Sequence, residues 1–324
     1  MDLSTHADDM TPRVLVTGAN GFVGAELCAY LGRQGYRVVP TVRSVTAGAG
    51  VVVGEIDDTT SWGPALQDVD IVIHLAARVH VMDGRSPETE FERINERGSA
   101  HLAREAAAAG VKRLVFVSSI KVNGEATHGK PFDESDAPRP EDAYGRSKLA
   151  AELALKQIAV ETGLELVIVR PPMVIGPGAK GNLRVLLRGL LRGLPLPLAS
   201  VRNRRSLVGV RNLVCLLELC AVKAAAAGEI FLAADEPALS TPELITGLAR
   251  GLGREPRLWS VPVPLLRMLA SLAGKRAQIE RLSGDLEIDA SKARSMLGWA
   301  SSEPLDEILD RTARQYLLAS ECHA

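Results

Sequence analysis

The chain has 324 residues, of which 46% are hydrophobic and 24% charged, so it has the composition of a soluble globular protein with material for one large or two modest domains. Its formal net charge of −1 argues against a nucleic-acid partner, because binding to a phosphate backbone needs a concentrated basic surface. The four cysteines have neither metal-ligand nor disulfide-framework spacing, which predicts reduced thiols, a cytoplasmic location and no bound metal.

No segment has the pattern of a secretory leader or of a membrane span. Residues 1–10 are polar and acidic, unlike a secretory signal. The richest apolar stretches, at residues 183–198 and 261–273, are broken by Arg, Gly or Pro. Because no uninterrupted apolar run is long enough to cross a bilayer, the sequence predicts no membrane partner.

Strand patterns alternate with helical patterns through the first half of the chain. Apolar runs predict strands at residues 13–17, 36–42, 51–56, 70–75, 113–117 and 165–170, and helical spacing predicts helices at residues 22–34, 88–109 and 144–162. This alternation predicts an α/β fold with a doubly wound parallel sheet that is covered by helices on both faces. The ligand of such a fold lies beyond the carboxyl ends of the strands.

The first strand and the first helix are joined by a glycine-rich turn, Gly18-Ala-Asn-Gly21-Phe-Val-Gly24. Glycines at this place let the backbone approach a pyrophosphate, whose charge is met by free amide groups and by the positive end of the helix dipole. A plain structural turn is the alternative. The dinucleotide interpretation predicts cofactor contacts from this turn and from later strand ends, namely Gly18, Asn20, Gly21, Phe22, Val23, Gly24, Leu75, Ala76, Ala77 and Pro171.

Two further signals follow in the order that a hydride-transfer site needs. Ser118 and Ser119 come directly after the fifth strand, and Tyr144 opens a helix that carries Lys148 one turn later. Hydride transfer to a carbonyl leaves negative charge on oxygen, so the site must supply a proton and a group that holds the oxygen. An ammonium group near a phenol favours the phenolate, so we expect Lys148 to lower the pKa of Tyr144 from about 10.

The spacing Gly-x-x-Gly-x-x-Gly, Ser-Ser and Tyr-x-x-x-Lys resembles the extended short-chain dehydrogenase/reductase family, in particular its nucleotide-sugar epimerase, dehydratase and reductase branch. The resemblance runs from about residue 13 to about residue 299. It implies that Tyr144 exchanges the proton and that Lys148 bonds the nicotinamide ribose. It also implies that Ser119, or less favourably Ser118, holds the substrate oxygen, that Asn95 lies near the active site, and that the helices at 88–109 and 144–162 form a homodimer.

The end of the second strand predicts which nicotinamide cofactor is used. NAD-preferring proteins usually place a carboxylate there to bond the adenosine ribose, whereas this chain has Arg43. Because a guanidinium group can clasp a 2′-phosphate, the sequence favours NADP(H), with NAD(H) as the alternative. Asp57 and Asp58, after the third strand, are predicted as adenine contacts or else as turn or cap residues. His74 is predicted to be a hydrogen-bonded core residue.

After residue 172 the alternation weakens, and Pro and Gly separate short helices. We predict a dinucleotide-binding domain at residues 11–172 and a substrate-binding region at residues 173–204 and 237–318. The chain is expected to return to the dinucleotide-binding domain at about residues 205–236. By the family resemblance, it re-enters the sheet near residues 205–214 and 229–234. In that region, Asn182 resembles part of a nucleotide-contacting segment, but it is equally a candidate helix N-cap. The resemblance also implies that Arg205 grips the diphosphate of a sugar nucleotide and that Asp285 bonds the nucleoside ribose.

Two departures from the family pattern narrow the reaction. Dehydratases of the family carry an Asp-Glu pair after the serine position, where this chain has Ile120 and Lys121, and epimerases often have an asparagine where this chain has Met173. The sequence therefore favours a UDP-4-keto-6-deoxy-HexNAc 4-reductase in polysaccharide precursor synthesis, with a UDP-glucose or UDP-GlcNAc 4-epimerase as the alternative. A reductase of flavonoid- or steroid-like ketones and a dinucleotide-binding protein without turnover are less favoured.

Overall fold

A computed structural model describes residues 11–45, 50–79, 88–179, 181–272, 274 and 276–321, so the predictions for residues 1–10 and Cys322 lie outside the described residues. The strands are β1 (Arg13–Thr17), β2 (Arg37–Val42), β3 (Val51–Val52), β4 (Ile71–His74), β5 (Arg113–Val117), β6 (Glu165–Arg170), β7 (Met173–Ile175), β8 (Arg205–Gly209), β9 (Ile230–Leu232) and β10 (Asp235–Leu239).

The helices alternate with these strands in the first half of the chain and dominate the second half. They are α1 (Phe22–Arg33), α2 (Gly63–Leu66), α3 (Glu88–Phe91), α4 (Gly98–Ala108), α5 (Ala143–Thr162), α6 (Asn182–Leu191), α7 (Val210–Val222), α8 (Thr241–Gly251), α9 (Val263–Leu272), α10 (Arg276–Ser283), α11 (Ser291–Leu297) and α12 (Leu305–Glu321). A π-helical turn (Glu92–Arg97) joins α3 to α4, and a 3-10 turn (Ile120–Val122) follows β5.

The main sheet has seven strands in the order β3-β2-β1-β4-β5-β6-β9, and every neighbouring pair is parallel. The predicted doubly wound parallel sheet is confirmed. Because the strand order reverses between β1 and β4, a crevice opens beyond their carboxyl ends. The glycine turn, the end of β4 and the end of β5 meet at this edge.

The continuous apolar strands supply two cores, one on each face of the sheet. Val14 and Val16 of β1 point into the core that contains α1 and α7, whereas Leu15 points into the core that contains α4 and α5. The same alternation continues along β4, β5 and β6. Both faces are therefore apolar, which is why these strands lack a polar alternate position.

The predicted return to the sheet at residues 205–214 is wrong in its first part. The strand β8 pairs in parallel with β7 and antiparallel with β10, and these three strands form a separate sheet. The chain rejoins the main sheet through α7, which packs Leu213 and Leu217 into the α1 side, and through β9, which pairs with β6. Apolar residues continue from β8 into α7 with only short interruptions, so the sequence pattern does not mark clearly where the strand ends.

A third apolar core lies under α6, α8, α9 and α12 and belongs to the second half of the chain. In the part of the chain that the structure describes, no helix has the length and apolarity needed to cross a membrane.

Candidate active site

The glycine turn between β1 and α1 is shaped for close approach of a ligand to the backbone. Gly18 has φ of +67°, and a Cβ on Gly24 would lie 2.1 Å from the Gly18 carbonyl oxygen. Gly21 caps α1 and donates its N–H to that same oxygen at 2.9 Å. The first-turn N–H groups of α1 lack helical partners, and no acidic residue stands among them. The turn is therefore a backbone cradle with positive potential, suited to a pyrophosphate.

The other predicted cofactor residues lie around the same edge of the sheet. Phe22 and Val23 form the first turn of α1, and Asn20 is exposed in the glycine turn. Leu75, Ala76 and Ala77 directly follow β4, and Pro171 directly follows β6.

Ser118 gives a separate indication that this edge holds a ligand. Its side chain is buried at the end of β5, and its hydroxyl oxygen has no hydrogen-bond partner among the described residues. Buried hydroxyl groups are normally paired. An orphaned hydroxyl at the same edge of the sheet as the glycine cradle fits a bound dinucleotide and its substrate. Among the described residues, no group of His, Cys, Asp or Glu could hold a metal ion.

A chain of hydrogen bonds behind the crevice fixes the end of β4. The Ser99 hydroxyl donates to the Asn95 carbonyl oxygen at 2.6 Å, so it accepts from His74 Nε2 at 2.9 Å. His74 Nδ1 then accepts from the Thr17 hydroxyl at 2.6 Å, and Thr17 Oγ1 accepts the two backbone N–H groups that follow β4. Burial, and secondarily Lys148, lowers the pKa of His74 to about 3. His74 is a neutral core residue, as predicted.

The structure brings Ser119, Tyr144 and Lys148 together at the carboxyl end of β5. The Ser119 hydroxyl lies close enough to the Tyr144 phenol to lower its pKa. Ser119 Oγ also accepts the backbone N–H of Lys121 at 3.3 Å, so its hydroxyl hydrogen is left for the phenol oxygen or for a substrate oxygen. Lys148 lies one helical turn after Tyr144 and is fully buried, with Nζ 4.0 Å from the centre of the Phe116 ring.

Contacts from two sides fix the helical turn that carries Tyr144. Asp142 caps α5, because one of its carboxylate oxygens accepts a first-turn N–H at 2.7 Å and the other accepts from Lys121 Nζ at 2.5 Å. From the opposite side, Asn95 in the π-helical turn donates to the Ser147 hydroxyl at 2.9 Å, which donates to the Tyr144 carbonyl oxygen at 2.8 Å. Asn95 therefore supports the site from behind.

Burial dominates the ionisation of both groups. The pKa of Tyr144 is raised to about 12, first by burial and then by the Asp142 carboxylate, while the nearby Ser119 side chain opposes this rise. The pKa of Lys148 is lowered to about 7 by burial, although the Glu152 carboxylate raises it. The expectation that Lys148 lowers the pKa of the phenol is not confirmed, because desolvation of the phenolate raises this pKa and Lys148 is not among the groups that lower it.

A buried ion pair stands directly behind Lys148. Glu152 accepts from Arg170 Nε at 2.9 Å and from Arg170 Nη2 at 2.5 Å, and the two side chains are 1% and 2% exposed. The third guanidinium nitrogen donates to Asn123 Oδ1 at 3.0 Å. These bonds tie α5 to the end of β6 and to the loop after Ser119, so they hold both sides of the crevice in register.

The residues predicted to choose the cofactor lie at the far end of the crevice. Arg43 is exposed directly after β2. Asp57 accepts the backbone N–H and the hydroxyl of Thr59 at 2.9 and 2.7 Å, and it also accepts from Arg93 at 2.7 Å. These bonds, chiefly those from Thr59, lower the pKa of Asp57. Asp58 Oδ2 lies 3.7 Å from Nη1 of Arg97 in the π-helical turn. Asp57 therefore makes the contacts of a turn residue, as one of the two predictions had it. Its contact with adenine stays a prediction.

Of the three substrate-binding residues predicted after residue 172, two lie close together. Arg205 Nη1 donates to the Gly284 carbonyl oxygen at 3.1 Å, and the Asp285 carboxylate is close enough to favour the charged guanidinium. Burial nevertheless lowers the pKa of Arg205. Asp285 accepts the Arg204 N–H at 2.8 Å. Asn182 is the first residue of α6, which Gly181 caps, so the prediction of an N-cap at Asn182 is wrong.

Sequence reasoning missed an ion-pair chain beside Ser119. Lys121, already bonded to Asp142, also pairs with Glu125 at 2.8 Å, and Glu125 pairs with Arg281 of α10 at 2.9 Å. The i,i+4 spacing of Lys121 and Glu125 and the capping position of Asp142 are local signals that point to part of this chain. Arg281 gives no such signal, because 156 residues separate it from Glu125.

Comparisons with known proteins agree with this geometry. A family model described as the NAD dependent epimerase/dehydratase family matches residues 14–234. The chain is 40% identical to a UDP-glucose 4-epimerase of Vibrio cholerae, over 96% of this chain and 97% of that protein. It is 26% identical to the N-acetyl-α-D-glucosaminyl-diphospho-ditrans,octacis-undecaprenol 4-epimerase of Escherichia coli, over 94% of this chain and 95% of that protein. The structure of MoeE5 in complex with UDP-glucose and NAD superposes with a TM-score of 0.76 at 27% identity, covering 95% of this chain and 99% of that chain.

Proposed function

Because the chain belongs to the NAD dependent epimerase/dehydratase family, it is an enzyme that uses a nicotinamide dinucleotide, and we propose that it is a 4-epimerase of a UDP-linked hexose. The observation that carries the proposal is the placement of Ser119 and Tyr144 together at the carboxyl end of β5, in a chain 40% identical to a UDP-glucose 4-epimerase. Epimerisation was the alternative in the sequence prediction. The relative now moves it ahead of 4-keto reduction.

The residues of the chain would handle the proton while the substrate oxygen is held in place. When bound, the dinucleotide supplies the acceptor and the donor of the hydride at carbon 4. Tyr144 takes the proton of the 4-hydroxyl during oxidation and returns a proton to the oxygen during reduction. Ser119 holds that oxygen with the hydroxyl hydrogen that its bond from Lys121 leaves available. Lys148 bonds the nicotinamide ribose, and the glycine cradle bonds the pyrophosphate.

The substrate nucleotide would lie against the second half of the chain. Arg205 is half-buried and faces a carbonyl oxygen rather than a bonded carboxylate, so its guanidinium group has donors left for the diphosphate. Asp285 bonds the nucleoside ribose, and Asn182 contacts the nucleotide. The division into a dinucleotide-binding domain and a substrate-binding region is part of the same proposal.

The surroundings of Ser119 argue against dehydration. Elimination of water needs a free acid and a free base near carbons 5 and 6 of the sugar. Here Ile120 is buried, and Lys121 is held by ion pairs to Asp142 and Glu125. Neither residue offers the acid–base pair that the dehydratases carry at these positions.

A 4-keto reductase that consumes NADPH is the second candidate, and Arg43 favours it. The guanidinium group is exposed directly after β2, where the adenosine ribose of a cofactor in the glycine cradle would lie. A 2′-phosphate there would gain a charged partner, so we keep NADP(H) as the favoured cofactor and NAD(H) as the alternative. A reductase would consume NADPH in proportion to product, whereas an epimerase would leave its cofactor unchanged.

One experiment separates the two reactions. Purified protein is incubated with UDP-glucose, UDP-N-acetylglucosamine, a UDP-4-keto-6-deoxy-N-acetylhexosamine and a diphospho-undecaprenol-linked N-acetylglucosamine, each with NAD(H) and with NADP(H), and the products are identified by NMR. Formation of the C4 epimer without net change in cofactor absorbance supports epimerisation. Stoichiometric loss of NADPH with the 4-keto sugar supports the reductase instead, and no reaction with any of these compounds contradicts both.

The Tyr144→Phe variant tests the proton role. We expect kcat to fall roughly 100- to 10,000-fold with cofactor binding retained, because the proton donor is lost while the cradle is intact. Tyr36→Phe is the matched control. Tyr36 directly precedes β2, at the end of the sheet opposite the site, and its hydroxyl donates to Glu218 at 3.0 Å. Unchanged kcat in Tyr144→Phe would show that another group carries the proton.

Three wider predictions belong to the same proposal. The exposed Leu153 and Val160 on α5 support a homodimer through α4 and α5, which light scattering of the purified protein checks. Cys28, Cys215 and Cys220 are free thiols, which supports a cytoplasmic location. A UDP-hexose product would serve polysaccharide precursor synthesis.

A further inference from the structure

The helix α9 turns an apolar face to solvent. Its other side buries Ala270 and packs Leu266 into the third core, but four large apolar side chains spaced i, i+3, i+4 and i+7 are exposed. We name these four residues the α9 face, and their exposed fractions run from 41% to 82% in Leu265, Met268, Leu269 and Leu272. Trp259, shortly before the helix, is 66% exposed. Contiguous exposed apolar surface of this kind marks an interaction site more often than chance exposure does.

The segment around the α9 face is strongly basic. Residues 254–282 contain six Lys or Arg residues and two Glu residues, a net charge of +4 in a chain whose formal net charge is −1. Arg276 and Arg281 pair with glutamates. Among the described residues, Arg254, Arg257 and Arg267 form no ion pair, and Arg267 makes only a 3.4 Å bond to a serine hydroxyl. The segment that carries the apolar face therefore holds positive charge that carboxylates of the described residues do not neutralise.

Leucine, methionine and tryptophan bordered by arginine is the composition of a helix that lies in the surface of an anionic bilayer. A helix of ten residues is about 15 Å long, too short to span a bilayer but long enough to lie along one. A second copy of the chain would bring two segments of like charge together, which disfavours self-association through this face. Anionic lipid headgroups complement the same charge.

The helix that carries the α9 face packs against α10, and α10 is linked to the candidate site. The following helix, α10, carries Arg281, which pairs with Glu125. Glu125 pairs with Lys121, whose backbone N–H bonds Ser119. We propose that the α9 face docks the protein on an anionic bilayer surface, with the mouth of the active site beside the membrane. The sequence prediction of no membrane partner considered only segments that cross a bilayer, so it did not weigh this mode of binding.

Vesicle flotation tests the proposal without reference to turnover, so its outcome is independent of the proposed reaction. The full chain is mixed with vesicles of phosphatidylcholine alone or with about one third phosphatidylglycerol. We expect binding to the anionic vesicles that weakens as salt is added. The double variant Leu269→Gln/Leu272→Gln should bind roughly tenfold more weakly. The matched control, Val185→Gln/Leu318→Gln, changes two side chains that are each 62% exposed on α6 and α12 and should bind like the parent.

Tryptophan fluorescence gives a second readout at the surface itself. The chain has three tryptophans, and Trp62 and Trp299 are 0% and 2% exposed, so Trp259 is the one that a docking bilayer can desolvate. A blue shift on adding anionic vesicles that disappears in Trp259→Phe supports docking through this segment. Absence of vesicle binding, or equal binding by the double variant and its control, overturns the proposal. Conversion of a dimer to a monomer in the double variant, without vesicle binding by the parent, assigns the α9 face to a second copy instead.

Discussion

Replacing the buried Lys148 with methionine should flatten the pH dependence of stability just above neutral pH. The pKa of Lys148 is about 7 in the folded chain, whereas the ordinary value is 10.5. Between these two values the unfolded chain binds one proton more than the folded chain, so the free energy of unfolding rises with pH. Below about pH 7, burial of the charged amine therefore lowers the free energy of unfolding. This destabilisation disappears as the pH rises towards 10.5, the ordinary pKa of the amine in the unfolded chain.

The size of the effect follows from this shift. One proton changes stability by about 1.36 kcal/mol per pH unit, so the parent should gain roughly 1.5 to 2 kcal/mol between about pH 7 and about pH 8.5 relative to Lys148→Met. Above that window Cys28 and Tyr144 begin to ionise in the unfolded chain, near pH 9.0 and 10.0. Burial raises their pKa values in the folded chain to about 11 and about 12, so these two residues lower the free energy of unfolding as the pH rises.

Urea unfolding followed by circular dichroism at several pH values measures this difference. Lys156→Met is the matched control, because Lys156 lies on the same helix with its side chain exposed. The control should keep the pH slope of the parent, and Lys148→Met should lose it. Equal slopes in the parent and in Lys148→Met would show that the amine is not desolvated as the structure has it, and the electrostatic account of the site would fail with it.

Three further substitutions test other parts of the site. Glu152→Gln leaves Arg170 buried without its carboxylate and should lower the free energy of unfolding by about 3 to 5 kcal/mol, measured by urea unfolding. The double variant Glu152→Gln/Arg170→Met should recover much of this loss. A double variant no more stable than Glu152→Gln would contradict this account. Gly24→Ala puts a Cβ 2.1 Å from a backbone oxygen of the glycine turn and should lower the affinity for NAD, measured by titration, at least roughly tenfold. Gly32→Ala on the same helix is the control and should leave the affinity unchanged, because no atom lies within 4 Å of the added Cβ. Arg43→Ala should weaken NADPH binding by roughly tenfold more than NADH binding in calorimetry, and equal losses would argue against a 2′-phosphate contact.

The sequence predicts the sheet well where pairing and burial coincide. Both faces of β5 and β6 are buried along most of their paired length, and the predicted bounds agree with the structure. The third strand was predicted at residues 51–56, but only Val51 and Val52 pair, opposite Thr41 and Val42 at the end of β2. The length of an edge strand is set by where its partner ends, which the apolar run of the strand itself does not record.

The sequence predicts site residues whose spacing is local, and it fails where burial or distant contacts decide. Tyr144 and Lys148 share a helix, and a single helical turn brings them to one face, so spacing alone places them together. The direction of the pKa of Tyr144 depends on burial by the whole fold and on the Asp142 carboxylate that caps the helix. The pairing of Glu125 with Arg281 depends on how the second half of the chain folds against the first. No window of sequence contains that information.

The phenol of Tyr144 and the buried amine of Lys148 have pKa values shifted in opposite directions. With the pKa of Tyr144 at about 12 and that of Lys148 at about 7, the phenol keeps its proton at neutral pH while the amine has lost much of its charge. A protonated phenol is ready to give its proton to a carbonyl oxygen, whereas it must first ionise before it can take the proton of a 4-hydroxyl. Positive charge on Lys148 favours that ionisation, and Glu152 is the carboxylate that helps to retain this charge. An epimerase runs both steps with one phenol. In this fold, reduction is the step that the chain's own groups favour, and oxidation is the step that depends on the charge held by Lys148 and Glu152.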